Sequence, residues 1–277
     1  MNHNELYPGT MSGLIKSFTG NWNLIRQMTS RDIGSRYKGA LLGIVWSLLT
    51  PLLMLAVYTF VFSTIFQSRW SELNAPTDKG TFAVILFIGL ILHGLVAECL
   101  TRAPSVIIQH SNYVKKVIFP LEIFSFIVTG SALFHALIAL VVFILAMITV
   151  GGGIPATIVF LPLVILPLLF VCLGTVWLMS SLGVFMRDLP MVAPIVSSVL
   201  LFVAPIFYPM SAVPKPVQKI MLLNPLTFIV EQARNVAIFG KMPDFPGLLI
   251  YTLVAVAFAL IGYFWFQKTR KGFADVL

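Results

Sequence analysis

The stretch RDIGSRYKGALLGIVWSLLTP, residues 31–51, joins a charged segment to a long apolar one. Its cations are Arg31, Arg36 and Lys38, and no charged residue follows Lys38 until Arg69. Because an α-helix rises about 1.5 Å per residue, roughly 20 apolar residues cross the hydrocarbon core of a bilayer. The junction therefore predicts a cationic arm at a membrane surface that runs directly into a membrane span.

The composition of the whole chain is that of a membrane protein. Of its 277 residues, 58% are hydrophobic and 10% are charged, whereas soluble domains carry about 25% charged residues. The net charge of +8 comes from cations beside the apolar segments and not from one basic face. This pattern is typical of topology-setting charge near anionic membrane lipids, so we expect no nucleic-acid partner.

Uncharged intervals locate the spans, and they lie at 39–68, 80–97, 123–186, 189–214 and 245–267. The third interval is too long for one crossing, and the turn-forming sequence GGGIP at 151–155 divides it into helices at about 121–148 and 157–182. The sequence thus predicts an all-α membrane protein with six transmembrane helices. Its parts are an arm at 1–38, a transmembrane domain at 39–267 and a tail at 268–277.

The distribution of cations predicts the orientation of the chain. An even number of spans puts both termini on one side of the membrane, and twelve of the 18 Lys and Arg residues fall on that side. The positive-inside rule therefore places both termini in the cytoplasm. The weakest part of this prediction is the segment 209–246, which holds four of the six cations assigned to the other side.

Two segments on the cytoplasmic side are predicted to be helical. In the arm, apolar residues at helical spacing predict one amphipathic interface helix on the membrane surface, and they are Leu14, Ile15, Phe18, Trp22 and Ile25. In the segment 101–119, Pro104 suits the first turn of a short cytoplasmic helix.

A further helix is predicted between spans five and six. Asn224 and Pro225 have the character of an N-cap and a first helical residue, and Gly240 ends the helix. Glu231 and Arg234 fall away from its apolar stripe. The helix is too polar to span, so we expect short re-entrant or gate helices at the outer face.

Catalytic and nucleotide-binding motifs are absent from the sequence. No P-loop pattern G-x-x-x-x-G-K-[ST] occurs, so the chain does not itself bind ATP in a P-loop. The zinc-protease pattern H-E-x-x-H and the nucleophile elbow G-x-S-x-G are also missing. We expect a chain that is not an enzyme and that carries no metal or cofactor of its own.

Polar residues inside the spans admit two interpretations, because such residues are costly and often functional. His93, Glu98 and His135 could form a proton relay, as in an ion-coupled secondary transporter. Alternatively, the histidines hydrogen-bond across helices, and Glu98 and Glu122 reach water or nearby cations such as Arg102 at the cytoplasmic boundary.

Aromatic residues on two spans are candidates for a saccharide path, because sugar rings pack their C–H faces on aromatic rings. The candidates are Trp46, Tyr58, Phe60 and Phe62 on the first span and Phe202, Phe207 and Tyr208 on the fifth. The alternative is lipid-facing bulk and an interfacial aromatic belt. The four prolines of the fifth span suit either a bending gate helix or an irregular packed one.

Several stretches, in order along nearly the whole chain, resemble one family. They are SRYKGALLGIVWSLLTPLL (35–53), YVKKVIFPLEI (113–123), FMRDLPMVAPIV (185–196), APIFYP (204–209) and NPLTFIVEQARNVAIFG (224–240). Together they resemble the permease subunits of type-2 ABC exporters for polysaccharides. The closing KTRKGFADVL (268–277) resembles the O-antigen branch of that family.

The resemblance implies partners and a substrate. It implies a homodimer of this chain with two copies of a separate ABC ATPase that binds ATP and Mg, in the bacterial inner membrane. The cargo would be a polysaccharide on a polyprenyl pyrophosphate, which the first and fifth spans admit through a lateral gate. A membrane glycosyltransferase or ligase is a rival interpretation, but the cluster of acidic residues at one membrane surface that it predicts does not occur.

The resemblance also implies roles for particular residues. Arg31, Arg36 and Lys38 would meet the pyrophosphate at the mouth of span one, with simple topology charge as the alternative. Contacts with the ATPase would come from Trp22, Arg26, Arg102, His110, Lys115 and Lys116. The external gate helices would carry Asn224, Pro225, Glu231 and Arg234.

Overall fold

The computed structural model describes residues 11–61, 79–115, 119–149 and 153–277, and every regular element in those ranges is a helix. The helices are α1 (Met11–Gly20), α2 (Trp22–Tyr37), α3 (Trp46–Tyr58), α4 (Lys79–Gln109), α5 (Ser111–Lys115), α6 (Ile123–Thr149), α7 (Leu161–Phe185), α8 (Leu189–Val203), α9 (Lys215–Met221), α10 (Pro225–Ala237), α11 (Phe245–Thr269) and α12 (Phe273–Val276). Single 3₁₀ turns at 43–45, 156–160, 210–212 and 270–272 extend or connect them.

Five of the described helical stretches are long and apolar enough to cross a membrane. They are Gly43–Val61, Phe82–Gln109, Ile123–Thr149, Ala156–Phe185 and Phe245–Val276. The predicted all-α, multi-pass architecture is therefore confirmed. So is the division of the long third interval, because α6 ends at Thr149 and α7 begins at Leu161.

The predicted fifth span is shorter than expected. Helix α8 has 15 residues, which is a length of about 22 Å. It ends because Pro205 follows two residues after Val203, and the residue before a proline, here Ala204, is disfavoured in the α-helical conformation. A sixth crossing thus stays a prediction that involves α8 and the non-helical segment after it.

The arm differs from the predicted single amphipathic helix. It contains two helices, and Asn21 lies between them. The break has a local cause, since the Asn21 side-chain amide donates to the backbone carbonyl of Ser17, 2.8 Å away, and such bonds compete with the helix. Helix α2 then continues to Tyr37 and packs against α6, so the last turn of the arm lies against the spans.

The prediction that Pro104 begins a separate helix was wrong. Pro104 lies inside α4, which continues to Gln109 before the short α5 begins. An interior proline costs a helix about 3 kcal/mol, and close packing on α7 offsets this cost. At Gly183 of α7 an added Cβ would lie 2.0 Å from the carbonyl oxygen of Pro104, so the two backbones touch where only glycine fits.

Helix α4 lies at the centre of the packed body, where it contacts α6, α7 and α8, while α7 packs on α11. In the most apolar part of α4, 72% of the residues are buried by the chain itself, whereas Ser47 is the one buried residue of Gly43–Val61. Helix α3 therefore lies at the outside of the body, in contact with α6 and α4. This arrangement leaves open space between α3 and its neighbours.

Candidate functional site

Three helices bring pairs of polar side chains together where the arm meets the spans. Residues four apart on a helix share one face, and each of α2, α4 and α6 contributes such a pair. The pairs are Asp32 and Arg36, Glu98 and Arg102, and Ser131 and His135. We call this set of six side chains the arm lattice.

One half of the arm lattice is centred on Asp32. Arg102 donates from Nη2 to both carboxylate oxygens, at 2.7 and 2.9 Å, and Ser131 donates to Oδ2 at 2.5 Å. Burial alone would raise the pKa of Asp32, but the hydrogen bonds from Ser131 and Arg102 and the charge of Arg102 hold it below its ordinary value. A charged Asp32 thus ties α2 to α4 and α6 at neutral pH.

The other half is centred on Glu98. Its Oε1 accepts from Arg36 and, at 3.3 Å, from Arg102, and its Oε2 lies 2.9 Å from Nδ1 of His135. Nδ1 of His135 also lies 3.3 Å from Nη1 of Arg36. Glu98 therefore has three partners on three helices.

A cavity of about 470 Å³ opens beside the Glu98 half, between α3, α4 and α6. Arg36, Glu98 and His135 line its charged end. Tyr58 and Phe87 line it further along, and Phe87 lies eleven positions before Glu98 on α4, which is about 16 Å. The cavity has the form of an amphiphile site, with a charged end and an apolar body.

At the apolar end, α3 and the end of α8 meet through aromatic rings. Ring centroids of Tyr58 and Phe207 lie 6.5 Å apart, and those of Phe202 and Phe207 lie 5.9 Å apart. The Tyr208 hydroxyl donates to the backbone carbonyl of Phe202 at 2.7 Å, which holds the chain back against α8 after its break. Trp46 is exposed on α3, Phe60 is exposed just after α3, and Phe62 lies outside the described residues.

Comparison with known proteins identifies the family of this chain. The family described as "ABC-2 type transporter" matches residues 23–238, which is more than half of the chain. This chain belongs to the ABC-2 type transporter family. The match begins in α2 and ends just after α10, so it includes the arm lattice, the cavity and the aromatic cluster.

Curated relatives match this ABC-2 permease over nearly its full length. The O-antigen export system permease protein RfbA of Myxococcus xanthus is 23% identical over 267 residues, which is 96% of this chain and 99% of that protein. The protein of the same name from Klebsiella pneumoniae is 23% identical, covering 92% and 95%. The polysialic acid transport protein KpsM of Escherichia coli is 26% identical, covering 87% and 91%.

The three cations predicted to meet a pyrophosphate do not form one surface in this ABC-2 permease. Arg36 is engaged by Glu98 in the arm lattice, and Lys38 is exposed just after α2. Arg31 lines a separate cavity of about 290 Å³, which it shares with His110 and Tyr113. Arg36 is thus the cation of this group that faces the larger cavity.

Residues predicted to contact an ATPase are also dispersed. Trp22 and Arg26 are exposed on α2, whereas Arg102 is bound within the arm lattice. The ring of His110 lies 4.6 Å from that of Phe124, and its Nδ1 contacts the carbonyl of Val106 at 2.8 Å. Lys115 ends α5, and Lys116 lies outside the described residues.

The predicted N-cap of the gate helix is confirmed. Asn224 Oδ1 accepts from the Leu226 amide at 3.0 Å, and its Nδ2 donates to the carbonyl of Leu200 in α8 at 2.9 Å. Pro225 is the first residue of α10, and Glu231 is half-buried on the same helix. One side chain thus starts α10 and fastens it to α8.

The placement of Arg234 away from the buried stripe of α10 was wrong. Its side chain is buried, with 2% of the residue exposed. Its guanidinium donates to the backbone carbonyls of Pro205 at 2.5 Å, Ile206 at 2.7 Å and Ile85 at 3.1 Å. Because the break of α8 at Pro205 frees carbonyls inside the protein, they need a donor, and Arg234 supplies it.

Glu98 does reach Arg102, as the boundary interpretation predicted, but Glu122 does not reach water. Glu122 is fully buried, where it pairs with Arg270 at 3.0 Å and accepts from Ser17 at 3.2 Å. The tail is thereby fastened to the arm and to the turn before α6. His93 contacts the backbone carbonyl of Ser197 across helices at 3.0 Å, as the hydrogen-bond interpretation predicted.

Proposed function

We propose that this ABC-2 permease is the membrane-spanning subunit of an exporter for a polyprenyl-pyrophosphate-linked polysaccharide of the O-antigen class. It would carry this cargo from the cytoplasm across the bacterial inner membrane. The observation that carries the proposal is the match to the O-antigen export permease of Myxococcus xanthus, which covers 96% of this chain and 99% of that protein. Polysaccharide transport proteins from three species share this length and order of sequence.

The energy for transport would come from a separate ABC ATPase, because the sequence has no P-loop. Two copies of each subunit would form the working assembly. The exposed surface of α3 supports a second copy of the chain as a neighbour, since Ser47 is the one residue of Gly43–Val61 that the chain itself buries. In such a dimer, α3 and α8 would form the lateral gate for the lipid-linked polymer.

The topology of the proposal has six spans and cytoplasmic termini. The sixth crossing consists of α8 and the non-helical segment 204–209. Non-helical backbone at membrane depth is tolerated where it is buried in protein, and Arg234 binds the carbonyls of Pro205 and Ile206 there. The short helices α9 and α10 would then be the external gate helices.

Within this function, Arg36 and the exposed Arg31 and Lys38 would attract the pyrophosphate to the membrane surface. The aromatic cluster of Tyr58, Phe202 and Phe207 would offer weak contacts along which a polymer can slide. Trp22 and Arg26 would face the ATPase from the arm.

The test is deletion of the gene, followed by analysis of surface polysaccharide and of lipid-linked polymer inside the cell. We expect the surface polymer to disappear and the lipid-linked polymer to accumulate, and a plasmid copy to restore export. Co-purification of a P-loop subunit with the tagged permease tests the ATPase. Export that continues without ATP but stops when the proton gradient collapses would contradict the proposal and favour a secondary transporter.

A further inference from the structure

The two acids of the arm lattice bind their arginines differently. Asp32 holds Arg102 through two oxygens, at 2.7 and 2.9 Å, and this pair joins α2 to α4 away from the larger cavity. Glu98 holds Arg36 through one oxygen, and both of these residues line the cavity. Arg36 has the more exposed side chain of the two, at 30% against 17% for Glu98. An anion in the cavity therefore meets Arg36 first.

Glu98 can release Arg36 and remain paired. Its Oε2 would keep its contact with Nδ1 of His135 at 2.9 Å, and its Oε1 would keep Arg102 at 3.3 Å. A buried carboxylate that loses its last partner pays a large desolvation cost, but here two partners remain. Arg36 is thus the partner that can be exchanged, whereas the Asp32–Arg102 pair keeps α2 in place one turn earlier.

A diphosphate is the type of anion that can displace Glu98 from Arg36. It carries more charge than a carboxylate, and its oxygens can bind the guanidinium fork at two points. The single phosphate of an ordinary anionic lipid has no such advantage over Glu98. Every anionic lipid of the bilayer would otherwise compete for Arg36. Glu98 therefore sets the minimum affinity for Arg36 that an anion needs in order to bind there.

We propose that Glu98 is a specificity-determining competitor, which a diphosphate head group in the cavity displaces from Arg36 and which weaker anions do not. The proposal rests on the proposed function, because the polyprenyl pyrophosphate is the cargo assigned there. The exchange also frees the last turn of α2. Gly39 follows with a φ of 88°, in the left-handed region where glycine is favoured, so the connection from arm to span one turns at this point.

The experiment measures binding to the purified permease–ATPase complex in nanodiscs of neutral lipid. The probes are farnesyl pyrophosphate, farnesyl monophosphate, inorganic pyrophosphate and, as added lipid, phosphatidylglycerol. The variants are Glu98→Gln, Arg36→Gln and the matched control Asp188→Asn, which removes an exposed acid outside the lattice. Thermal melting of each complex verifies that it is folded.

The two main variants should change the affinity for farnesyl pyrophosphate in opposite directions. Glu98→Gln removes the competitor, so the affinity for farnesyl pyrophosphate should rise about tenfold and the preference over the monophosphate and phosphatidylglycerol should shrink. Arg36→Gln removes the ligand, so the affinity should fall about tenfold or more. Asp188→Asn should stay within about twofold. Glu98→Asp, which keeps the charge but shortens its reach, should give a smaller rise and replaces Glu98→Gln if that variant does not fold.

A Glu98→Gln complex that binds farnesyl pyrophosphate no better than the wild type overturns the proposal, and so does a wild type that binds the monophosphate equally well. If inorganic pyrophosphate binds as tightly as farnesyl pyrophosphate, the site recognises the diphosphate alone. If inorganic pyrophosphate binds more weakly, the lipid chain also contributes to binding, and both results support the proposal. Export is tested separately by gene deletion, so the competitor role can fail while the proposed function stands, and the reverse.

Discussion

Replacement of Arg234 by methionine tests whether a buried guanidinium holds the broken end of α8 in place. The substitution keeps a long, flexible side chain of similar reach and removes the donors to Pro205, Ile206 and Ile85. The carbonyl of Ile85 lies inside α4 and keeps its helical hydrogen bond, but the segment 204–209 has no such ladder. The loss therefore falls mainly on the carbonyls of Pro205 and Ile206.

The expected cost follows from these contacts. A buried carbonyl that loses its donor costs about 1–3 kcal/mol, so two of them amount to roughly 3 kcal/mol after partial relaxation. For a chain of more than 200 residues, each kcal/mol lowers the melting temperature by about 2–4 °C, so Arg234→Met should melt roughly 6–12 °C below the wild type. Arg234→Lys keeps the charge but loses the fork, so it should recover only part of this difference.

Melting in one detergent, followed by size-exclusion chromatography of the fluorescently tagged protein, provides the assay. Lys219→Met is the matched control, because Lys219 is an exposed cation on the neighbouring α9. It removes the same charge without exposing a buried carbonyl and should melt within about 1 °C of the wild type. If Arg234→Met melts as high as Lys219→Met, the guanidinium does not hold this segment and the reasoning is refuted.

Three further predictions concern other contacts. Gly183→Ala should lower the yield of folded protein severalfold, because its Cβ would lie 2.0 Å from the backbone of α4. The control Gly94→Ala has nothing within 4 Å of its added Cβ and should keep the wild-type yield, so equal yields of the two variants would contradict the close approach. The pKa of Asp32 is lowered in the fold, so its stabilisation is complete above its unfolded pKa and is lost as pH falls through its folded pKa. The melting temperature of Asp32→Asn should therefore depend less on pH below about pH 4 than that of the wild type. Parallel curves of melting temperature against pH would exclude stabilisation by the charged Asp32. Glu122→Gln breaks the buried pair with Arg270 and should cost about 3 kcal/mol and speed proteolysis of the tail, whereas unchanged digestion would show that the pair does not fasten it.

Features set by local sequence could be predicted. The spans follow from apolar runs of known length, and the break between α6 and α7 follows from glycines and a proline. The N-cap at Asn224 follows from a side chain that binds its own helix, and its bond to Leu226 confirms it. Each of these depends on residues within a few positions of one another.

Features set by contacts between distant segments could not be predicted. The continuation of α4 through Pro104 depends on Gly183, nearly 80 residues away. The arm lattice depends on three helices that meet, although its signal is present in the sequence as polar pairs at a spacing of four on each helix. The sequence shows that Asp32 and Arg36 share a face, but not which acid on another helix faces them.

The burial of Arg234 also bears on the orientation of the chain. The weak point of the topology prediction was the segment 209–246 with four cations, which the positive-inside rule disfavours outside the cytoplasm. One of the four is Arg234, which is bound to backbone carbonyls within the protein and is not a surface charge. A cation with this structural task is needed wherever the break of α8 lies, so it says little about which side of the membrane the segment faces. The same holds on the side of the termini for Arg36, Arg102 and Arg270, which are paired with carboxylates. Nine remaining cations there compare with five on the other side, so the prediction of cytoplasmic termini keeps its direction.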